Sequence, residues 1–200
     1  GKTARLGVID LPSFYATIDL GSGKKPNLAG DGGESKATPR STSEDVAKLL
    51  AKFKREGVNG VILDLRRNGG GSLEEAVKLT GLFIKDGPVV QVAGPGDRVP
   101  QVDDDTDPTI QYDGPLIVLT SRFSASASEI LAGALQDYGR ALIVGDISTH
   151  GKGTVQNLNP LRYAMPRSAS ATNDPGTLKI TRGKFYRVSG GSTQLKGVFS

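Results

Sequence analysis

The run Ser124-Ala125-Ser126-Ala127-Ser128-Glu129 offers three hydroxyls, and Gly151-Lys152-Gly153-Thr154-Val155-Gln156 offers an amine that could take a proton from one of them. A hydroxyl with an adjacent base is the minimal machinery of covalent hydrolysis. The chain has one His and no Cys. A hydrolase built on it is nearly barred from Ser-His-Asp and Cys-His chemistry, so a Ser-Lys pair becomes the leading arrangement.

Each residue also has a plainer reading. Ser126 stands at a strand-to-helix turn, where unpaired backbone N–H groups and the positive end of the helix dipole could hold a developing oxyanion. Yet Ser126-x-x-Glu129 is itself a helix-capping box, and the residues alone do not choose among the three serines. Lys152 lies between two glycines, which let its backbone approach other groups closely. A lysine serves as base only when its pKa falls below the ordinary value of about 10.4, as burial can cause. An extended chain after Gly153 would turn Lys152, Thr154 and Gln156 to one face, with Gln156 able to orient the amine. An isolated lysine is otherwise a surface charge. Asn68-Gly69-Gly70-Gly71 opens a helix after a strand; its N–H groups could donate to an oxyanion, or the glycines could only make a flexible turn.

Competing motifs fail. A phosphate-binding loop ending at Lys152 would need Gly where Asp146 stands and Ser or Thr where Gly153 stands. The G-x-S-x-G elbow is absent, because Ser124 and Ser128 occupy its glycine positions. His150 is a conventional base two residues from Lys152, though a lone loop histidine is more often a bystander. The acidic run Val102-Asp103-Asp104-Asp105-Thr106-Asp107-Pro108 has Pro108 where a calcium loop needs Gly, and Gly114 where it needs Glu. It reads as a solvated acidic loop.

The elements that must position these residues follow from periodicity. Strands are expected at 6–10 and 14–18, then a mobile Gly-, Lys- and Pro-rich loop over 21–40. A helix over 42–56 is capped by Ser41-x-x-Glu44 and ended by Gly57. The apolar run at 58–65 reads as a strand buried on both faces. A helix over 73–84 and strands at 89–92 and 115–120 come next, then a helix over 129–138 and a strand at 141–144. This rhythm argues for an α/β domain with a largely parallel sheet. Strands at 154–158, 177–181 and 185–188 close the chain.

The bulk numbers agree with one globular domain. Of 200 residues, 36% are hydrophobic and 23% charged. The net charge of +4 is spread among acids, as in Lys52-Phe53-Lys54-Arg55-Glu56, which argues against a nucleic-acid reader. No apolar run approaches a membrane span. The absence of Cys suits an envelope protein and equally a cytosolic one. The sequence starts at Gly1 and reads as a mature or excised fragment.

Taken together, the segments resemble the carboxyl-terminal processing peptidases, or tail-specific proteases. The match is carried by Val61-Ile62-Leu63-Asp64-Leu65-Arg66-Arg67-Asn68-Gly69-Gly70-Gly71, Arg122-Phe123-Ser124-Ala125-Ser126-Ala127-Ser128-Glu129-Ile130, Gly151-Lys152-Gly153-Thr154-Val155-Gln156 and Lys184-Phe185-Tyr186-Arg187-Val188-Ser189-Gly190-Gly191-Ser192-Thr193-Gln194. The last of these resembles the bacterial tail-specific branch. The resemblance implies an α/β fold with a ClpP/crotonase-like core, a largely parallel sheet flanked by helices, plus C-terminal β segments. It implies one serine-protease core over 1–200, excised from a protein that also carries a PDZ domain. It assigns Ser126 as nucleophile, Lys152 as general base and Gln156 as the orienting amide. The oxyanion donors would be Ala127 N–H and that of Gly70 or Gly71, with Asp137 in a supporting role.

No metal or cofactor is called for. Substrates would be proteins with apolar C-terminal tails, in the bacterial periplasm, with association to the envelope membrane or an adaptor and none with nucleic acid. The stretch Gly145-Asp146-Ile147-Ser148-Thr149-His150-Gly151-Lys152 is one residue longer than the family's common form, which separates Ser126 from Lys152 by 26 positions. A bulge would absorb it. The alternative is a catalytically silent scaffold of the same fold that holds extended peptides by β-augmentation.

Overall fold

The computed structural model describes residues 3–17, 40–96, 100–164 and 175–200. Strands β1 (Leu6–Asp10), β2 (Gly60–Asp64), β5 (Leu116–Thr120) and β6 (Leu142–Gly145) form one parallel sheet in the order β1-β2-β5-β6. Strands β3 (Gly87–Ala93), β4 (Gln101–Asp105), β7 (Thr154–Pro160) and β8 (Thr177–Tyr186) form a second, antiparallel sheet in the order β4-β3-β8-β7. Among the described residues three α-helices connect them: α1 (Thr42–Arg55), α2 (Leu73–Gly81) and α3 (Ala127–Asp137). A short 3-10 turn spans Leu161–Tyr163. The fold is the α/β class that the βα rhythm called for, with the parallel sheet limited to four strands and β3 and β4, which precede β5 in the chain, belonging to the antiparallel sheet.

Local chemistry sets the element ends. Ser41 caps α1 by accepting from the Glu44 N–H, Val46 and Leu50 bury its inner stripe, and Gly57 takes φ +65 beyond its end. Ser72 caps α2 through the Glu75 N–H. That helix stops at Gly81 instead of 84, because Leu82 and Phe83 donate three residues back, to Leu79 and Thr80, and Phe83 and Ile84 bury themselves in the core. One face of the parallel sheet supplies Ile9, Val61, Leu63, Val118 and Ile143 to that core, joined by Leu79, Leu131 and Leu135 from the helices.

Three expectations change. The acidic run at 102–108 is partly a strand: β4 pairs with β3 at the sheet edge, where charged residues also discourage further pairing. Its alternation carries Asp105 inward, against Gly81, where a Cβ would lie 2.5 Å from the carboxyl carbon. The strands expected at 177–181 and 185–188 merge into one strand, β8, which ends at Tyr186 and has β7 alongside. At 14–18 there are only isolated bridges, Phe14 with Gly71 and Ala16 with Ser41; residue 18 and the loop expected at 21–40, save Arg40, lie outside the described residues.

The topology explains why distant segments meet. β2, β5 and β6 are neighbours in the parallel sheet, so their carboxyl ends lie side by side. Those ends lead into the Asn68 turn, the serine run and the 145–152 stretch respectively. The edge outside the carboxyl ends of parallel strands is where open α/β sheets build sites.

Candidate active site

The three serines separate by what their hydroxyls do. Ser124 is fully buried, and its Oγ donates to Leu65 O at 2.7 Å and accepts from Ser121 N at 2.9 Å. Ser128 is also fully buried, with Oγ donating to Asn68 O at 2.9 Å. Both pin the turn before α3 to the turn after β2. Ser126 is half-buried and heads α3 in a capping box with Glu129. It sits at φ +58, ψ −113, a region that costs a non-glycine residue about 1–3 kcal/mol and that concentrates at functional sites. An ordinary N-cap is extended. Capping alone therefore does not account for the backbone conformation of Ser126.

Glu129 is the group that draws the site together. It is fully buried. Its Oε2 accepts from Ser126 N at 2.8 Å and from Lys152 N at 3.0 Å. Its Oε1 accepts from Gly151 N and from Thr149 Oγ1, both at 2.7 Å. The shared Oε2 holds the amide nitrogens of Ser126 and Lys152 within about 5.8 Å of each other. Sequence spacing read Glu129 only as a capping residue. The first bond is that cap; the other three span twenty or more positions, which no local pattern displays.

Lys152 is half-buried, and its Nζ lies 3.5 Å from Gln156 Oε1. The two side chains meet across a register shift between Val155 and Gln156. Among the described residues no hydrogen bond joins Lys152 Nζ to Ser126. The long 145–152 stretch is taken up outward: Ile147 is 84% exposed, while Asp146 accepts from Arg122 N and Thr149 returns to the core. His150 is exposed, and its N–H donates to Ser124 O at 3.0 Å.

Asn68 is fully buried and uses every polar group: Nδ2 donates to Leu11 O, Oδ1 accepts from Gly70 N at 2.8 Å, and its carbonyl accepts from Ala125 N and Ser128 Oγ. It folds the glycine turn against Ser126. A Cβ on Gly70 would lie 2.9 Å from Ser126 Cβ and 3.2 Å from Ala127 N. Gly70, at φ +106, is therefore required to be glycine for close approach. Its N–H is committed to Asn68, whereas the N–H groups of Gly71 and Ala127 have no partner among the described residues.

Asp137 lies eleven residues down α3 from Ser126, about 16 Å along the axis. It pairs with Arg187 at 2.5 Å and accepts from Ser189 N and Oγ, tying α3 to the end of β8. It reaches neither Ser126 nor Lys152. A cavity of about 650 Å³ between α2 and β4 is lined by Leu73, Val77, Val92, Asp105 and Val155 and stops short of Ser126 and Lys152. Among the described residues no group of His, Asp and Glu is placed to hold a metal ion, and no helix is long and apolar enough to cross a membrane.

Comparison with known proteins shows the family of the chain. The profile of peptidase family S41 matches residues 5–199. The chain is 53% identical over 193 residues to the tail-specific protease of Haemophilus influenzae, covering 96% of this chain and 24% of that protein. It is 36% identical over 153 residues to the carboxy-terminal-processing protease of Bartonella bacilliformis, covering 76% of this chain and 32% of that protein. The chain thus spans about a quarter to a third of the length of these relatives. Among solved structures, the photosystem II D1 C-terminal processing protease superposes with TM-score 0.70 at 27% identity, covering 97% of this chain and 41% of that one. Mature CPAF shares the fold, with TM-score 0.65 at 16% identity, covering 100% of this chain and 46% of that one.

Proposed function

Because the chain belongs to peptidase family S41, we propose that it is the catalytic core of a serine endopeptidase that works with a Ser-Lys pair. The observation that carries this reading is the Glu129 carboxylate, which takes the backbone N–H of Ser126 and of Lys152 on one oxygen. The engagement of Ser124 and Ser128 in structural bonds supports Ser126 as the nucleophile.

In the proposed mechanism Ser126 Oγ attacks the scissile carbonyl carbon, and its proton passes to neutral Lys152 Nζ. The carbonyl electron pair moves onto oxygen, where Ala127 N–H and Gly71 N–H receive it; Gly70 allows the approach, since its own N–H is spent on Asn68. Lys152 then gives its proton to the departing amine, and the C–N bond breaks. Water, deprotonated by Lys152, hydrolyses the acyl-enzyme and returns Ser126. Gln156 Oε1 accepts from Nζ and orients it. The lysine swings on its flexible stem from Gln156 toward Ser126 when substrate closes the site, as catalytic hydrogen bonds commonly tighten in the complex. Asp137 acts through the Arg187 pair, keeping α3 in place.

The relatives' names, tail-specific and carboxy-terminal-processing protease, support substrates selected by their C-terminal tails, and apolar tails are the class proposed here. The same reading places the enzyme in the bacterial periplasm, with a PDZ domain in the full-length protein and an envelope membrane or adaptor as its context. The test is cleavage of a reporter protein carrying an apolar or a charged C-terminal tail. The full-length protein should cleave the first at least tenfold faster, and Ser126→Ala or Lys152→Ala should abolish it. Equal binding of the tail with no cleavage by folded protein would favour the silent scaffold.

A further inference from the structure

The backbone that carries Lys152 is held from two sides. On one, Glu129 takes Gly151 N and Lys152 N. On the other, three successive residues of the segment after β8 reach three successive peptide units. Leu195 N donates to Gly151 O at 2.8 Å, Thr193 Oγ1 donates to Lys152 O at 3.3 Å, and Gln194 Oε1 accepts from Gly153 N at 2.8 Å. Phe185 N completes the set on Gly153 O. All six polar backbone groups of 151–153 are therefore bonded.

The clamp has a cost. Leu195 stands at φ +65 with its side chain 88% exposed. A leucine in that region is strained by about 1–3 kcal/mol, and an exposed side chain offsets none of it by core packing. What the conformation secures is the direction of its N–H toward Gly151. Thr193, in contrast, is fully buried, and its carbonyl accepts from Lys196 N and Gly197 N, which closes the segment on itself. Glycines at 151 and 153 are what let it close in: a Cβ on Gly153 would lie 2.8 Å from Gln194 N, and one on Gly151 would lie 3.0 Å from Leu195 C.

We propose that Thr193, Gln194 and Leu195 are positioning residues that hold the Lys152 backbone in register with Ser126. The proposal rests on the Ser126–Lys152 reading and deepens it: the glycines flanking Lys152 serve this clamp, and the base is aimed by a segment more than 40 positions away. Gln194 does not touch substrate; it acts through Gly153. A shift of about 1 Å in a catalytic group can cost about 100-fold in rate, so loosening one bond of the clamp should be visible in the rate of acylation before it is visible in substrate capture.

The experiment uses the full-length protein and a serine-acylating β-lactone probe, read as the maximal rate of Ser126 acylation (kinact) and the half-saturating concentration (KI). Gln194→Met and Thr193→Val should each lower kinact about tenfold or more with KI changed less than about twofold. Thr193→Ser, which keeps the hydroxyl, should recover most of the loss. Thermal melting checks that the variants are folded. Folded variants with wild-type kinact overturn the proposal, as does a Thr193→Ser variant as slow as Thr193→Val. So does a loss confined to KI. If the wild-type protein is not acylated at Ser126 at all, the Ser126–Lys152 reading fails and the clamp falls with it.

Discussion

Replacing Glu129 with Gln tests the centre of the site with the smallest change in shape. The carboxylate accepts four hydrogen bonds, two on each oxygen, from Ser126 N, Lys152 N, Gly151 N and Thr149 Oγ1. All four partners donate, so the site needs an acceptor at both ends. A glutamine offers one. With its NH2 turned toward Gly151 N and Thr149, the Gly151 bond is lost while the Thr149 hydroxyl can rotate to accept; turned the other way, the bonds to Ser126 N and Lys152 N are both lost. One or two bonds to a charged group are then lost, each contributing about 1.5–3 kcal/mol. The expected cost is about 1.5–6 kcal/mol, against the 5–15 kcal/mol that a typical domain has. Urea unfolding of both proteins should show it as a lower midpoint at unchanged slope, with a fall in Tm of about 5–20 °C for a chain this long. Acylation of Ser126 in the folded variant should fall about 100-fold. A cost below about 1 kcal/mol with unchanged acylation would mean that Glu129 does not organise the site.

Other expectations concern the serines and one acid. Ser124→Ala removes the donor to Leu65 O and the acceptor for Ser121 N, and should cost about 1–3 kcal/mol by chemical denaturation while leaving the Ser126 hydroxyl in place. Ser126→Gly should do the opposite: activity is lost, and relief of φ +58 raises stability by about 1 kcal/mol, measured by the same unfolding curves. Burial pushes the Asp105 carboxyl above its ordinary range, and its Oδ2 has no hydrogen-bond partner. A raised folded-state value means stability is full below about pH 4 and declines as pH rises through that value. Asp105→Asn should therefore be more stable than wild type at pH 7, with the gap closing below about pH 4; a constant gap across that window would refute the assignment.

Much of the fold was legible because its signals are local. Ser41 with Glu44 and Gly57 marked α1, and the apolar run in β2 marked a buried parallel strand. β4 was missed because Asp103, Asp104 and Asp105 look like loop residues, and only the facing β3 gives them a ladder to join. The candidate site was legible in its parts, Ser126, Lys152, Gln156 and the Asn68 turn. The partition of the three serines was not, since Ser124 and Ser128 are occupied by carbonyls about sixty residues away. Glu129 and the Thr193–Leu195 clamp escaped for the same reason: each is defined by long-range bonds to backbone, which leave no spacing in the sequence. Gly70 and Gly71 looked alike until the Asn68 side chain claimed the N–H of one of them.

The proposed chemistry makes Ser126, activated by Lys152, the nucleophile. Its most direct measurement is mass-spectrometric mapping of the β-lactone adduct on the full-length protein, beside the Lys152→Ala and Ser126→Ala variants. One adduct per chain is expected, on Ser126, absent from both variants although each remains folded. An adduct on Ser124, Ser128 or His150, or one on Ser126 that forms as fast without Lys152, would contradict it.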